Sequence, residues 1–263
     1  QGLPPEFIAE LEKEFGFDKP APVRFLTMLG NYLRFDFGQS WFRSISVVDL
    51  VLEKMPVSIT LGLWSTLLAY LISIPLGIRK AVRDGTPFDT WTSSAIIVGY
   101  AIPGFLFAVL LMVLFAGGSY WKIFPLRGLT SDNFADLSLI GKIKDYLWHI
   151  TLPVTAATIS SFATLTLLTK NSFLDEINKQ YVMTARAKGL SEKTVVLKHV
   201  LRNSLIPVVT VIALGLPAVF GGAIITEQVF RVNGLGQLLI SAIHANDIPM
   251  VLTLTFIFAI LIV

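Results

Sequence analysis

Two pairs of side chains have types and spacing that could do chemistry. Asp145 and His149 stand four residues apart, and His244 and Asp247 stand three apart. A carboxylate beside an imidazole can serve a general base or help hold a metal. Neither pair has the company such chemistry needs. The chain has no cysteine and three histidines, which makes a structural zinc site improbable. No nucleophile, metal cluster or cofactor motif accompanies the pairs, so they read as the start of a helix and a turn. His199, the remaining histidine, has no second ligand nearby and reads as an orienting or packing residue. A Gly-x-x-x-x-Gly-Lys-Ser/Thr phosphate loop is also missing, so this chain is not expected to bind ATP itself. The expected class is a protein without catalysis, cofactor or metal of its own. The charges of Arg186 and Lys188 suit pairing with acidic groups on a partner or with lipid phosphates.

The elements that would position these residues are membrane elements. The 263 residues are 54% hydrophobic and only 15% charged, with a mean hydropathy of +0.69. Soluble domains carry about 25% charged residues, so lipid is the expected main solvent. The net charge of +3 contains no like-charged block that suggests a nucleic-acid arm. Apolar segments predict spans at about 56–78, 93–115, 149–169 and 204–226, with a fifth begun at 250–263. Pro75, Pro103, Pro153, Pro207 and Pro217 lie in or beside these runs, where kinks and helix starts are tolerated. We expect a fragment of an all-α, multi-pass helical bundle, lacking a first helix and the end of the last.

Basic residues set the expected orientation. Arg79, Lys80 and Arg83 follow the first span, and Lys170, Lys179, Arg186, Lys188, Lys193, Lys198 and Arg202 follow the third. The positive-inside rule puts both loops in the cytoplasm. Residues 1–55 then form an extracytoplasmic segment, and residues 56–263 the transmembrane domain. Within that outer segment, Pro5 to Phe15 and Pro22 to Phe35 carry apolar residues at helical spacing, including Phe25, Leu26, Leu29 and Leu33. Short amphipathic helices are expected there, either capping the bundle or docking an external partner.

The loop at 170–203 is too long for a simple connection in a bundle. Tyr181 to Lys188 is a good helix former, and Gly189 follows as a stop of the left-handed kind. Ser191 can then cap a second helix, Glu192 to Leu201, whose apolar face holds Val195, Val196 and Val200. Helix, glycine, helix makes a small rigid elbow. It can sit in a groove of a soluble partner and pass motion to the flanking spans.

These residues carry a resemblance. Tyr181-Val182-x-Thr184-Ala185-Arg186-Ala187-Lys188-Gly189-Leu190-Ser191, followed by His199-x-x-Arg202-Asn203, resembles the coupling loop of binding-protein-dependent ABC permeases. It is similar in particular to the oligopeptide and dipeptide branch. Pro56 to Gly62, Ile74 to Ile78, Ile102-Pro103-x-Phe105 and His149 to Pro153 agree with that family. Stretches around Trp91, Tyr120 and Phe173 resemble its microcin C and oligopeptide importer subgroup. The resemblance implies a permease of the type I ABC importer kind in the bacterial cytoplasmic (inner) membrane. It implies pairing with a second homologous permease, two ATP-binding subunits that hold the ATP, an extracytoplasmic solute-binding protein, and membrane lipid. It places Tyr181, Thr184, Ala185, Arg186, Ala187, Lys188, Gly189, Leu190, Ser191, His199, Arg202 and Asn203 in the ATPase-coupling loop.

Small Ala185 and Ala187 would let a partner groove approach closely. Trp64, Tyr70, Tyr100, Pro103 and Phe105 are the candidate lining of the translocation path, and peptide cargo rests on the resemblance. The rival reading is an ion-coupled secondary transporter. The apolar spans hold almost no ionisable residues in their interiors, which counts against ion coupling.

Overall fold

The computed structural model describes residues 18–117, 120–221 and 224–262, and among them the secondary structure is helical apart from one isolated bridge, Gln39 to Ser46. The expected helix at Pro5 to Phe15 lies outside the described residues. The helices are α1 (Ala21–Tyr32), α2 (Val47–Val82), α3 (Pro87–Ala101), α4 (Gly104–Phe115), α5 (Leu139–Ile177) and α6 (Gln180–Ala187). Then come α7 (Glu192–Ser204, with a π-helical stretch at Val195–Val200), α8 (Ile206–Gly221), α9 (Ile224–Val229), α10 (Leu235–His244) and α11 (Ile248–Ile262).

Only α2 is long and apolar enough to cross a bilayer unbroken, among the described residues. Counting bent pairs as single spans raises the number to four. The sharpest bend is 94°, between α3 and α4 at Ile102-Pro103. A proline lacks the N–H that would continue the ladder, and the residue before it is pushed toward extended backbone. Ile102 accordingly takes φ −79°, ψ 120°. Helices α2 and α5 outrun the apolar segments at both ends. Polar residues prolong a helix readily when caps terminate it, as at Ser138, whose hydroxyl accepts from the Gly141 N–H at 3.2 Å.

Three buried clusters follow the bundle along its length. The first joins Tyr32, Phe37, Val47, Leu50, Leu235 and Met250. The second joins Leu61, Ala108, Ile150, Val154 and Phe230. The third joins Ala81, Phe173, Val182, Ala185, Val195 and Val200. Helix α1 presents Tyr32 to the first cluster, with its ring 5.1 Å from Phe256 and its hydroxyl 3.3 Å from Thr253 Oγ1. Phe25, Leu26 and Leu33 stay exposed. The apolar stripe read from the sequence is thus the outward face of α1, and an aromatic with a polar handle was the one drawn inward.

Helices α2 and α5 make the most extensive pair. Small residues let their backbones approach, as membrane helix pairs require. A Cβ on Gly77 would fall 2.6 Å from Thr169 Cβ and 2.8 Å from the Thr166 carbonyl. Gly77→Ala is therefore expected to lower stability by about 1–3 kcal/mol, the range for overpacking. Thermal unfolding in detergent checks this, with Gly30→Ala as the control because a Cβ there meets nothing within 4 Å.

Candidate functional site

The elbow at α6–α7 is closed by a specific turn. The Gly189 N–H donates to the Arg186 carbonyl at 2.9 Å and the Leu190 N–H donates to the Ala185 carbonyl at 3.3 Å. Those two bonds are the Schellman pattern, and Gly189 supplies its left-handed residue at φ +79°. Ser191 then opens α7, its hydroxyl accepting from the Thr194 N–H at 3.4 Å. Val182, Val195 and Val200 are fully buried between the two arms and against Phe173 of α5. The elbow is therefore one body with the end of α5 and with Ala81 of α2.

Ala185 is buried inside that cluster, so its small side chain serves the packing of the elbow itself, while Ala187 is exposed. Arg186 has a partner that sequence reading did not weigh. Its Nη2 and Nε lie 2.6 and 3.1 Å from the two carboxylate oxygens of Glu192, bracing one arm against the other. Hydrogen bonding from Arg186 holds the Glu192 carboxyl below its ordinary range. Lys188, Leu190 and Thr184 face outward, and the Thr184 hydroxyl donates to the Gln180 carbonyl at 2.9 Å. Behind the elbow, the Asn203 amide donates to the Tyr181 hydroxyl at 3.1 Å, and the Tyr181 hydroxyl donates to Glu176. Tyr181, His199, Arg202 and Asn203 share an open cavity of about 520 Å³ with Lys198 and Ile206.

The candidate path residues divide into two groups. Tyr100, Pro103 and Phe105 gather at the α3–α4 break, all exposed, and Tyr100 borders an apolar cavity of about 250 Å³ with Ile96, Ile159 and Phe162. Trp64 lies elsewhere, half-buried on α2, with its indole N–H donating to the Tyr146 hydroxyl at 3.1 Å. Tyr70 is half-buried six residues further along α2.

The two histidine–carboxylate pairs serve structure. His149 Nδ1 lies 2.8 Å from the Asp145 carbonyl, and the Asp145 carboxylate accepts from the Ser131 N–H at 2.9 Å and from its hydroxyl. Asp247 is buried and accepts from the Ser40 hydroxyl and, at 3.1 Å, from the Trp41 N–H. It ties the segment that precedes α2 to the α10–α11 junction, while His244 is exposed. No cluster of three metal-ligating side chains occurs among the described residues.

Residues 73–263 match the family described as the binding-protein-dependent transport system inner membrane component. The chain belongs to that family. Among its relatives, the peptidoglycan transport system permease protein YejB of Agrobacterium fabrum is 56% identical over 99% of this chain and 72% of its own length. The inner membrane ABC transporter permease protein YejB of Escherichia coli O157:H7 has the same identity and coverage. The dipeptide transport system permease protein DppB of Escherichia coli is 33% identical over 95% of this chain and 78% of its own length. Among solved structures, a chain of the inward-facing MetNI methionine ABC transporter superposes with a TM-score of 0.60 at 17% identity. It covers 82% of this chain and 90% of that one, so the two share a fold.

Two features of this family member escaped sequence reading. The first is a charged knot. Lys80 belongs to α2 and not to a solvated loop, and its side chain is fully buried. Its ammonium lies 3.0 Å from Asp89 Oδ1 and donates to the Asp89 carbonyl, Thr92 Oγ1 and Ser93 Oγ at 2.9, 2.7 and 2.8 Å. Lys170 of α5 reaches Asp89 at 2.7 Å and Asp84 at 2.8 Å. The signal available was the Asp84-Gly85 turn, with a lysine before it and a carboxylate after it. The second is Glu227, fully buried, which accepts from Ser58 Oγ at 2.7 Å and from the Gln237 N–H at 2.9 Å. Nothing local in the sequence joins Ser58 to residues far along the chain.

Proposed function

We propose that this permease is the membrane-spanning half of an ATP-driven importer for peptides or peptide-like solutes. It pairs with a second homologous permease, receives cargo from an extracytoplasmic solute-binding protein, and takes its motion from two ATP-binding subunits. The observation that carries the reading is the elbow. Its exposed tip, Ala187 to Leu190, is held by the Schellman turn and the Arg186–Glu192 brace, and its base is packed into α2 and α5. A displacement of the tip by an ATP-binding subunit is carried by rigid contacts to the spans on either side. Peptide cargo is supported by the relatives named for dipeptide and peptidoglycan transport.

The deciding measurement is ATP hydrolysis and peptide uptake by the reconstituted assembly. Hydrolysis that rises with peptide-loaded binding protein, together with peptide accumulation, is the expected result. Accumulation without ATP, driven by an ion gradient, would overturn the reading in favour of a secondary carrier. Within the same assay, Gly189→Val is expected to separate hydrolysis from uptake. A left-handed β-branched residue costs more than the roughly 1–2 kcal/mol of an ordinary one, and the turn must open to relieve it. Uptake per ATP should fall several-fold, and an unchanged ratio would count against the tip as the coupling point.

A further inference from the structure

The cavity behind the elbow is bordered by basic side chains. Lys198, His199 and Arg202 border it, and among the described residues none of the three forms an ion pair. The carboxylate at its margin, Glu176, is already engaged by Lys179 and by the Tyr181 hydroxyl. Asn203 and Tyr181 add polar groups to the same wall. The cavity also sits at a particular depth. The helical rise puts Arg202 roughly 16 Å back from Ser191 along α7, away from the elbow tip. One turn later Ile206 opens α8, an apolar helix with no charged residue from Ile206 to Gly221. Ile206 and Val209, one helical turn apart, are 62% and 57% exposed, so an apolar strip leads directly away from the basic pocket.

We propose that this pocket binds the phosphate of an anionic membrane phospholipid, with the acyl chains lying along Ile206 and Val209. Lys198 and Arg202 neutralise the phosphate diester, the Arg202 guanidinium presenting a planar fork that suits two of its oxygens. The apolar strip is what separates a lipid from a free anion, because inorganic phosphate has nothing to place on it. The proposal rests on the cytoplasmic, membrane-flanking position of the elbow. It adds a lipid contact on the side of the elbow that faces away from the tip. A lipid held there would be part of the lever between α7 and α8, so membrane composition would enter the coupling directly.

The test uses the complete transporter, ATP-binding subunits included, in nanodiscs of phosphatidylcholine doped with a photoactivatable phosphatidylglycerol or a photoactivatable phosphatidylcholine. The expected result is phosphatidylglycerol label on residues 198–209 at several times the phosphatidylcholine level. Lys198→Ala and Arg202→Ala should each lower it by about fivefold, the worth of one basic side chain near an anionic surface, and Arg202→Lys should retain part. Both side chains are exposed, so the fold is not at stake. Equal labelling by the two lipids would overturn the proposal. So would labelling that appears only when the ATP-binding subunits are stripped away, because the pocket would then belong to their interface. Loss of label to millimolar inorganic phosphate would overturn the lipid assignment as well. ATP hydrolysis in the same nanodiscs keeps the two readings apart: a transporter that responds to loaded binding protein but shows no lipid preference refutes this inference and leaves the importer standing.

Discussion

Asp89→Ala will lower the stability of the folded permease by about 3–5 kcal/mol, the cost of breaking a buried ion pair from one side. The carboxylate stands between two ammonium groups, Lys80 at 3.0 Å and Lys170 at 2.7 Å. They do not suffer equally when it goes. Lys170 keeps Asp84, whose side chain is half exposed, and can turn toward water. Lys80 has no exposed surface and is left with three neutral oxygens around a full charge. The expense therefore falls on the desolvated lysine rather than on a lost attraction, and that origin has a signature. Lys80→Met combined with Asp89→Leu should be much less damaging than Asp89→Ala alone, because no uncompensated charge remains. Unfolding followed in detergent for the two singles and the double would decide it. Equal destabilisation by Asp89→Ala and the double would place the loss in packing and not in charge.

Glu227→Ala should cost about 2–4 kcal/mol, through unmet donors and the small cavity left behind. The first turn of α10 needs partners for its free N–H groups. Two of them find long-range ones: the Gln237 N–H donates to Glu227 and the Leu235 N–H donates to Ser58 Oγ at 2.7 Å. The Ser58 hydroxyl donates onward to Glu227, so a residue of α2 and a residue of α9 together cap α10. Glu227→Gln keeps the shape and one acceptor and should cost less, and Ser58→Ala should cost about 1–2 kcal/mol. Hydrogen exchange adds a second readout. The amides of Leu235 and Gln237 should exchange faster in Glu227→Ala than in wild type, while those of α7 should not change. Uniform acceleration would indicate general loosening and not a lost cap.

The elbow was legible in the sequence because its determinants are local. Gly189 after a helix former, Ser191 before an acidic residue, and valines at helical spacing each act within one or two turns. Apolar segment length was legible in part: the segments at 56–78 and 149–169 fall inside α2 and α5, while the one at 93–115 is divided between α3 and α4. The helix ends were not, since α2 and α5 are stopped by caps and turns and not by hydropathy. The α3–α4 break was visible only as a proline inside an apolar run. A proline there is compatible with a mild kink, and the 94° angle depends on what packs around it. Lys80 was misplaced for a related reason. A basic residue at the end of an apolar run resembles a topological marker, and only the return of α3 against α2 brings Asp89 over it. Glu227 and Ser58 meet through the tertiary fold alone.

The break between α3 and α4 creates two helix ends inside what would otherwise be one continuous apolar span. The last carbonyls of α3 and the first amides of α4 lack partners within their own helices, and in hydrocarbon such groups must be met by protein or water. Each end also carries a partial charge, negative where α3 stops and positive where α4 begins. Ile102 and Pro103 thus install an oriented dipole pair made of backbone, within a run from Ser93 to Phe115 that carries no charged side chain. Exchanging Tyr100 or Phe105 for another residue would alter the room available there, but the field would persist as long as the proline keeps the two half-helices apart.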